Sequence, residues 1–337
     1  MADRAPDRAP HLAVVGCGVI GAAWASRMVL CGHDVRVADP HPDAPRLLDE
    51  VLANAVTAWD ELGLPTDRRG SLACTASIGD AVTGAAFVQE SVPERIDLKI
   101  AVLREIEEAA ADETIIGSST SGLRPTRMQA GMTHPGRLVV GHPFNPVYLL
   151  PLVEVVGGEH TSADTIAAAQ ERYRSLGMHP VRVRVEIDAF IADRLLEAVW
   201  REALWLVRDG VATTQEIDDV ITHGFGLRWA QMGLFETYRT AGGTGGFRHF
   251  IEQFGPALAW PWSRLTDVPE FTDELVDMIV EQSDAHSGAH GVRELERIRD
   301  RNLTGILTAL EANRWGAGAA IGRHRETLGG SLGGSSG

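Results

Sequence analysis

Short apolar, β-branched runs alternate along the first half of the chain with longer stretches in which apolar residues recur every three or four positions. Residues 12–15, 34–39, 86–89, 114–117, 138–141 and 152–156 read as strands, while 20–31, 45–62 and 93–110 carry helical spacing. This alternation predicts βαβ units, hence an α/β fold with a doubly wound, mostly parallel sheet. Past His179-Pro180 and the alternating VRVRVE of 181–186 the period changes. From there 190–207, 214–222, 273–283 and 292–312 are helical, the second opened by a Thr-Thr-Gln-Glu capping signal. The pattern divides the chain near 186–188, into an α/β domain over 11–187 and an all-α domain over 188–320. Residues 1–10 repeat a charged Ala-Pro unit and read as a mobile arm; the Gly-Ser-rich 329–337 reads as a flexible tail or linker.

The first strand runs directly into Gly16-Cys17-Gly18-Val19-Ile20-Gly21 and then a helical stretch. Each glycine has a task that a side chain would obstruct: Gly16 the tight turn, Gly18 the approach of a pyrophosphate to the backbone, Gly21 the packing of helix on strand. Phosphate charge would rest on the helix N-terminus, with Val19 and Ile20 in its first turn. Asp39 closes the second strand, eighteen residues after Gly21. A carboxylate there accepts from both ribose hydroxyls and repels a 2′-phosphate, which predicts NAD rather than NADP.

Charge and composition remove whole classes of partner. Thirty-one basic against 46 acidic side chains leave a formal charge of -15, which repels nucleic acid and anionic membrane surfaces. No apolar run approaches the roughly 18 residues of a membrane span, and the first residues lack the order of a secretory signal, so a cytoplasmic address is expected. Cys17, Cys31 and Cys74 form no paired metal spacing and leave an odd thiol, as suits a reducing compartment.

Candidate chemistry gathers between 118 and 158: SSTSGL at 118–123, GHPFNP at 141–146 and PLVEVVGG at 151–158. Oxidising a secondary alcohol takes a proton from oxygen and a hydride from carbon, so it needs a base poised near neutral pH; histidine is that side chain. Glu154 stands among Leu152, Val153, Val155 and Val156, where an unpaired charge would be costly, so a buried partner is expected. At these residues the chain resembles the 3-hydroxyacyl-CoA dehydrogenase family, over almost everything from residue 11 to about 315. The resemblance implies a Rossmann-like first domain, a helical second domain and a homodimer built on the latter. It makes His142 the catalytic base, Glu154 its orienting partner and Ser121 the hydroxyl that binds the reacting oxygen, and it places Asn145 beside the nicotinamide. In QESVPERIDLK, residues 89–99, it places Glu94 and Lys99, the chain's sole lysine, at the cofactor's ribose.

Two departures from the acyl-CoA pattern bear on the substrate. Asp193, in AFIADR, stands where the family carries a substrate-binding asparagine, and 41–62 holds Asp43, Asp49, Glu50, Asp60 and Glu61 against Arg46 alone, where CoA phosphates would need lysines. Residues 229–262 also concentrate eight aromatics, among them Trp229, Phe235, Tyr238, Trp260 and Trp262. Aromatic faces with diffuse negative charge suit a quaternary ammonium group, and a helical core or dimer seam is the plainer use of such residues. Within the family, the resemblance of 224–243 and 253–265 implies a small zwitterionic 3-hydroxy acid with a quaternary ammonium head. Arg194 and Arg228 are both candidates for its carboxylate. The alternatives are a gulonate- or 3-hydroxybutyrate-type member of the family, or a cofactor-binding protein without turnover, as in lens crystallins.

Overall fold

The computed structural model describes residues 10–241, 244, 246–256, 263, 270, 272–287, 289 and 292–330. The expected mobile arm, except Pro10, and the tail from 331 lie outside the described residues, as do Trp260 and Trp262.

Eight strands form one sheet in the order β3-β2-β1-β4-β5-β6-β7-β8. They are β1 (Leu12–Val15), β2 (Val35–Ala38), β3 (Leu72–Thr75), β4 (Phe87–Glu90), β5 (Ile115–Ser118), β6 (Leu138–Pro143), β7 (Leu152–Gly157) and β8 (His179–Val183). Every neighbouring pair is parallel except β6 with β7. The expected doubly wound, mostly parallel sheet is therefore what forms. The central strand β1 is buried on both faces, which is why LAVV carries no polar alternation. Helix α1 (Val19–Leu30) is buried from Gly21 to Leu30, so it too is mostly apolar, with Ser26 and Arg27 as its buried polar residues.

Along the chain follow α2 (Ala44–Glu61), α3 (Ile78–Val82), α4 (Ile96–Ala109), α5 (Pro125–Gln129) and α6 (Ala163–Ser175). One face of the sheet packs Trp24, Leu48, Trp59, Val153 and Tyr173; the other packs Val88, Leu103, Ile106, Met128 and Phe190.

A second compact unit comprises Ala192–Ile298. It holds α7 (Ala192–Arg208), α8 (Thr214–Val220), α9 (Gly226–Ala241), α10 (Gly246–Phe254), α11 (Asp273–Ser287) and the start of α12 (Val292–Ala312). The capping signal is realised at the start of α8: the Thr213 hydroxyl accepts from Glu216 N while the Glu216 carboxylate accepts from Thr213 N.

One boundary differs from the periodicity reading. Residues from Arg299 onward belong to the first unit, not to a helical domain running to 320. Leu307 and Ile321, on α12 and α13 (Gly316–Gly330), enter the same core as Leu48 and Trp59. Arg325 fastens α13 to the end of α2 through Leu62 O at 2.7 Å and Gly63 O, and to Glu311 at 2.8 Å. His324 stacks edge-on against Trp59 with ring centroids 5.4 Å apart, and burial pushes its pKa down to about 3, so the ring stays neutral. Helical spacing announces a helix but not which core its apolar stripe will meet.

Candidate active site

The turn after β1 has the shape of a phosphate cradle. Gly16 has φ +94°, and a Cβ there would stand 2.7 Å from the Ser91 backbone, so both conformation and space require glycine. A Cβ on Gly21 would collide with Gly16 O, so α1 lies directly on the turn. Gly18, by contrast, faces open space, and as N-cap of α1 it puts no side chain over the first-turn N–H groups. Asp39 Oδ2 accepts from Cys17 N at 2.6 Å and Oδ1 from His41 N at 2.7 Å, which aims the carboxylate across the turn and leaves each oxygen a second lone pair for a ribose hydroxyl. Gly16, Cys17, Gly18, Asp39 and His41 line a cleft of about 1010 Å³, together with Val19, Ile20, Ser91 and Leu98. The open glycine, uncapped helix and free acceptor lone pairs fit a dinucleotide. Arg46 also reaches this cleft but is engaged by Glu50 and Asp43, so it offers no unshared cation for a 2′-phosphate. Burial and the neighbouring Asp39 push the Cys17 thiol up to about 12, which makes it a neutral wall rather than a nucleophile.

The antiparallel register of β6 against β7 sets His142 directly opposite Glu154. His142 Nδ1 lies 2.9 Å from Glu154 Oε2, and Glu154 Oε1 accepts from Ile191 N at 2.9 Å. Both side chains are buried, at 6% and 1% exposure, so the carboxylate that the apolar strand predicted does have its partner. Because an ionised carboxylate only accepts, Nδ1 carries the proton of the neutral ring, and Nε2 keeps the lone pair a base needs. Phe144 and Phe190 flank the imidazole with centroids 5.6 and 5.7 Å away. Ala189 and Phe190 have φ of +59° and +48°, left-handed backbone that non-glycine residues adopt at a cost of about 1–3 kcal/mol each. That turn delivers the Ile191 N–H to Glu154 and the Phe190 ring to His142. Sequence reasoning missed both residues, since nothing in AFIADR marks a left-handed turn.

Ser121 is half-buried and is bracketed by two anchors: Glu94 Oε1 accepts from Thr120 Oγ1 and, at 3.1 Å, from Gly122 N. Lys99 lies in the interior, 1% exposed, with Nζ 2.8 Å from Glu90 Oε1, 3.0 Å from Val92 O and 3.6 Å from Glu94 Oε2. Two hydrogen bonds, to Glu90 and to Val92 O, fix the ammonium group with Glu94 as a further ion-pair partner, which gives Lys99 a role in holding Glu90 and Glu94. Glu90, also buried, accepts from Ser118 Oγ at 2.5 Å and Val92 N at 2.7 Å. It was not singled out in the sequence, although a buried glutamate nine residues before the sole lysine is a recognisable pairing.

Asn145 is exposed on the loop after β6. That loop is anchored by Arg27 Nη1 on Val147 O at 2.9 Å, by Trp59 Nε1 on Tyr148 O at 2.8 Å, and by the Tyr148 hydroxyl on Asp300. Arg27 also donates to Leu176 O and Gly177 O at 2.8 and 3.0 Å, and its complete burial lowers its pKa to about 10.

In the second unit, Asp193 lies in the first turn of α7. Trp229 packs on Phe225 at 4.6 Å, and Tyr238 stacks on Phe250 at 4.5 Å, which itself meets Phe254 at 4.9 Å. Phe235 is 69% exposed. The aromatic residues thus include a true cluster, with Phe235 standing on the surface.

Residues 11–187 match the NAD-binding domain of 3-hydroxyacyl-CoA dehydrogenase and 190–278 its C-terminal domain, so all of α12 and α13 lie beyond both matches. Among curated proteins, an L-carnitine dehydrogenase/betainyl-CoA thioesterase from Ruegeria pomeroyi is 60% identical over 94% of this chain and 65% of that protein. A similar bifunctional protein from Agrobacterium fabrum is 60% identical, with 63% of its length covered; the chain spans less than two-thirds of these relatives. The L-carnitine dehydrogenase of Mesorhizobium japonicum is 56% identical over 91% of this chain and 86% of its own length. Among solved structures, an NAD-dependent 5-formyl-3-hydroxy-2-methylpyridine 4-carboxylic acid 5-dehydrogenase has a TM-score of 0.75 at 31% identity, covering 90% of this chain and 98% of that one.

Proposed function

The chain belongs to the 3-hydroxyacyl-CoA dehydrogenase family, and from that premise we propose that it oxidises the 3-hydroxyl of L-carnitine to 3-dehydrocarnitine with NAD. The observation that carries this reading is the high identity to a Mesorhizobium japonicum protein of that activity along most of its length.

When bound, NAD supplies the hydride acceptor. His142 Nε2 takes the proton of the 3-hydroxyl, and Glu154, 2.9 Å from Nδ1, stabilises the imidazolium that results. Ser121 donates a hydrogen bond to the reacting oxygen, on a loop that Glu94 holds at both neighbouring residues. The trimethylammonium is recognised by Asp193 and the aromatics Trp229, Phe235 and Tyr238, and the carboxylate by Arg194 or Arg228. Helix α2, with Asp43 as its N-cap and Asp49, Glu50, Asp60 and Glu61 along it, repels a CoA thioester.

The acting species is a homodimer formed through the helical unit. In the single chain Leu195, Leu196, Val199 and Trp200 of α7 are 58%, 55%, 38% and 59% exposed, an apolar stripe at helical spacing that a second copy would cover. Sedimentation should give about twice 36.3 kDa, and a stable species of that single mass removes this part. Among the described residues no helix is long and apolar enough to cross a membrane. We place the protein in the cytoplasm, where Cys17, Cys31 and Cys74 would remain free thiols.

NADH absorbance with L-carnitine, 3-hydroxybutyrate and gulonate, measured side by side, tests the reading. Turnover of L-carnitine well above 3-hydroxybutyrate, which lacks the cation, is expected; no signal with L-carnitine overturns it. For the cofactor, Asp39→Ala should weaken NAD and relax the rejection of NADP, because the variant loses both the ribose acceptor and the repelling charge. An unchanged preference would remove Asp39 from the site.

A further inference from the structure

A buried hydrogen-bond chain runs through the sheet beside the catalytic strand and ends in the dinucleotide cleft. Tyr173 of α6 fills the space left by two glycines: a Cβ on Gly117 or Gly141 would collide with its hydroxyl. That hydroxyl lies 2.8 Å from Gln89 Oε1. Gln89 Nε2 lies 3.3 Å from Gly141 O, next to His142, and 2.8 Å from Ser119 Oγ. Ser119 Oγ is in turn 2.9 Å from Ser91 Oγ. Ser91 lines the cleft, and its Cβ stands 3.2 Å from where a Cβ of Gly21 would be.

Donor and acceptor chemistry gives this chain a direction. A carbonyl only accepts, so the Gln89 atom facing Gly141 O is nitrogen, and the oxygen faces Tyr173. Burial raises the Tyr173 pKa, so the phenol keeps its proton and donates it. The amide nitrogen spends one hydrogen on Gly141 O and the other on Ser119, which must accept. Having accepted from Gln89, Ser119 has its own hydrogen to give to Ser91, and in that sense Ser91, having accepted, has its hydrogen for the cleft.

We propose that Ser91 is a dinucleotide-binding residue, a hydrogen-bond donor of fixed sense to an acceptor oxygen of the cofactor beside the glycine turn, with Gln89 and Tyr173 as positioning residues that set that sense. It complements Asp39, which can only accept, so the two ends of the turn read opposite polarity on the ligand. The proposal rests on the NAD reading of the cleft and not on the choice of alcohol.

Fluorescence titration of the ligand-free protein with NADH tests it. Ser91→Ala should raise the NADH Kd about 3- to 10-fold, the weight of one neutral hydrogen bond, without lowering the melting temperature. Gln89→Met, which keeps the volume and removes the donor to Ser119, should raise Kd when Ser91 is present and add nothing in the Ser91→Ala background. An unchanged Kd in Ser91→Ala, or additive effects in the double variant, overturns the proposal. Ser91→Ala changes a cleft-lining hydroxyl only, so it decides the matter even if Gln89→Met does not fold. Failure of the wild-type protein to oxidise L-carnitine would remove the substrate reading and leave these affinities standing.

Discussion

His142→Ala lowers the turnover number for L-carnitine by about 10²- to 10⁴-fold, the usual contribution of a positioned general base, while the NADH Kd stays near the wild-type value. The two effects separate because the cofactor turn and His142 lie at different places on the sheet: Gly16 follows β1, and His142 is in β6. Removing the ring also leaves the buried Glu154 with Ile191 N as its remaining partner among those described above, so the alanine variant should melt earlier. His142→Gln separates these causes. Its amide can still donate to Glu154 but has no basic nitrogen, so it should lose turnover equally and melt closer to wild type. Near-normal turnover in either variant, measured as NADH formation, contradicts the assignment of the base.

Glu154→Gln should be nearly as damaging, for a reason the geometry makes specific. The glutamine oxygen can still accept from Ile191 N, as Oε1 does at 2.9 Å, which turns its NH₂ toward His142 Nδ1. An amide N–H can only donate, so Nδ1 must present its lone pair and the ring proton moves to Nε2. The nitrogen that should receive the substrate proton is then already protonated, and no carboxylate remains to stabilise an imidazolium. A fall in kcat of about 10²-fold or more follows, with little change in NADH affinity or melting temperature. A kcat within a few-fold of wild type would mean that Glu154 does not set the tautomer.

The dinucleotide turn was legible in the chain because its parts are local: three glycines within six residues, a strand before, a helix after, and Asp39 at the end of the next strand. The pairing of His142 with Glu154 was legible through family resemblance, and its cause is the single antiparallel step in an otherwise parallel sheet. What escaped was non-local. Tyr173 meets Gln89 across 84 positions, and Tyr148 meets Asp300 across 152, and no periodicity links residues so far apart. Arg27, too, is enclosed by the carbonyls of Val147, Leu176 and Gly177, at least 120 positions away along the chain. β3 was missed because LACT is short and mostly accessible, so it carries neither a buried run nor a clean alternation.

The most direct test of the account follows the hydrogen itself. L-Carnitine deuterated at C3 is incubated with NAD and the protein, and the reduced cofactor is weighed by mass spectrometry. One deuterium per NADH from the wild-type protein, with formation of that labelled product slowed at least 10²-fold in His142→Ala, is the predicted result. Unlabelled NADH, no NADH, or equal rates from the two proteins would contradict it.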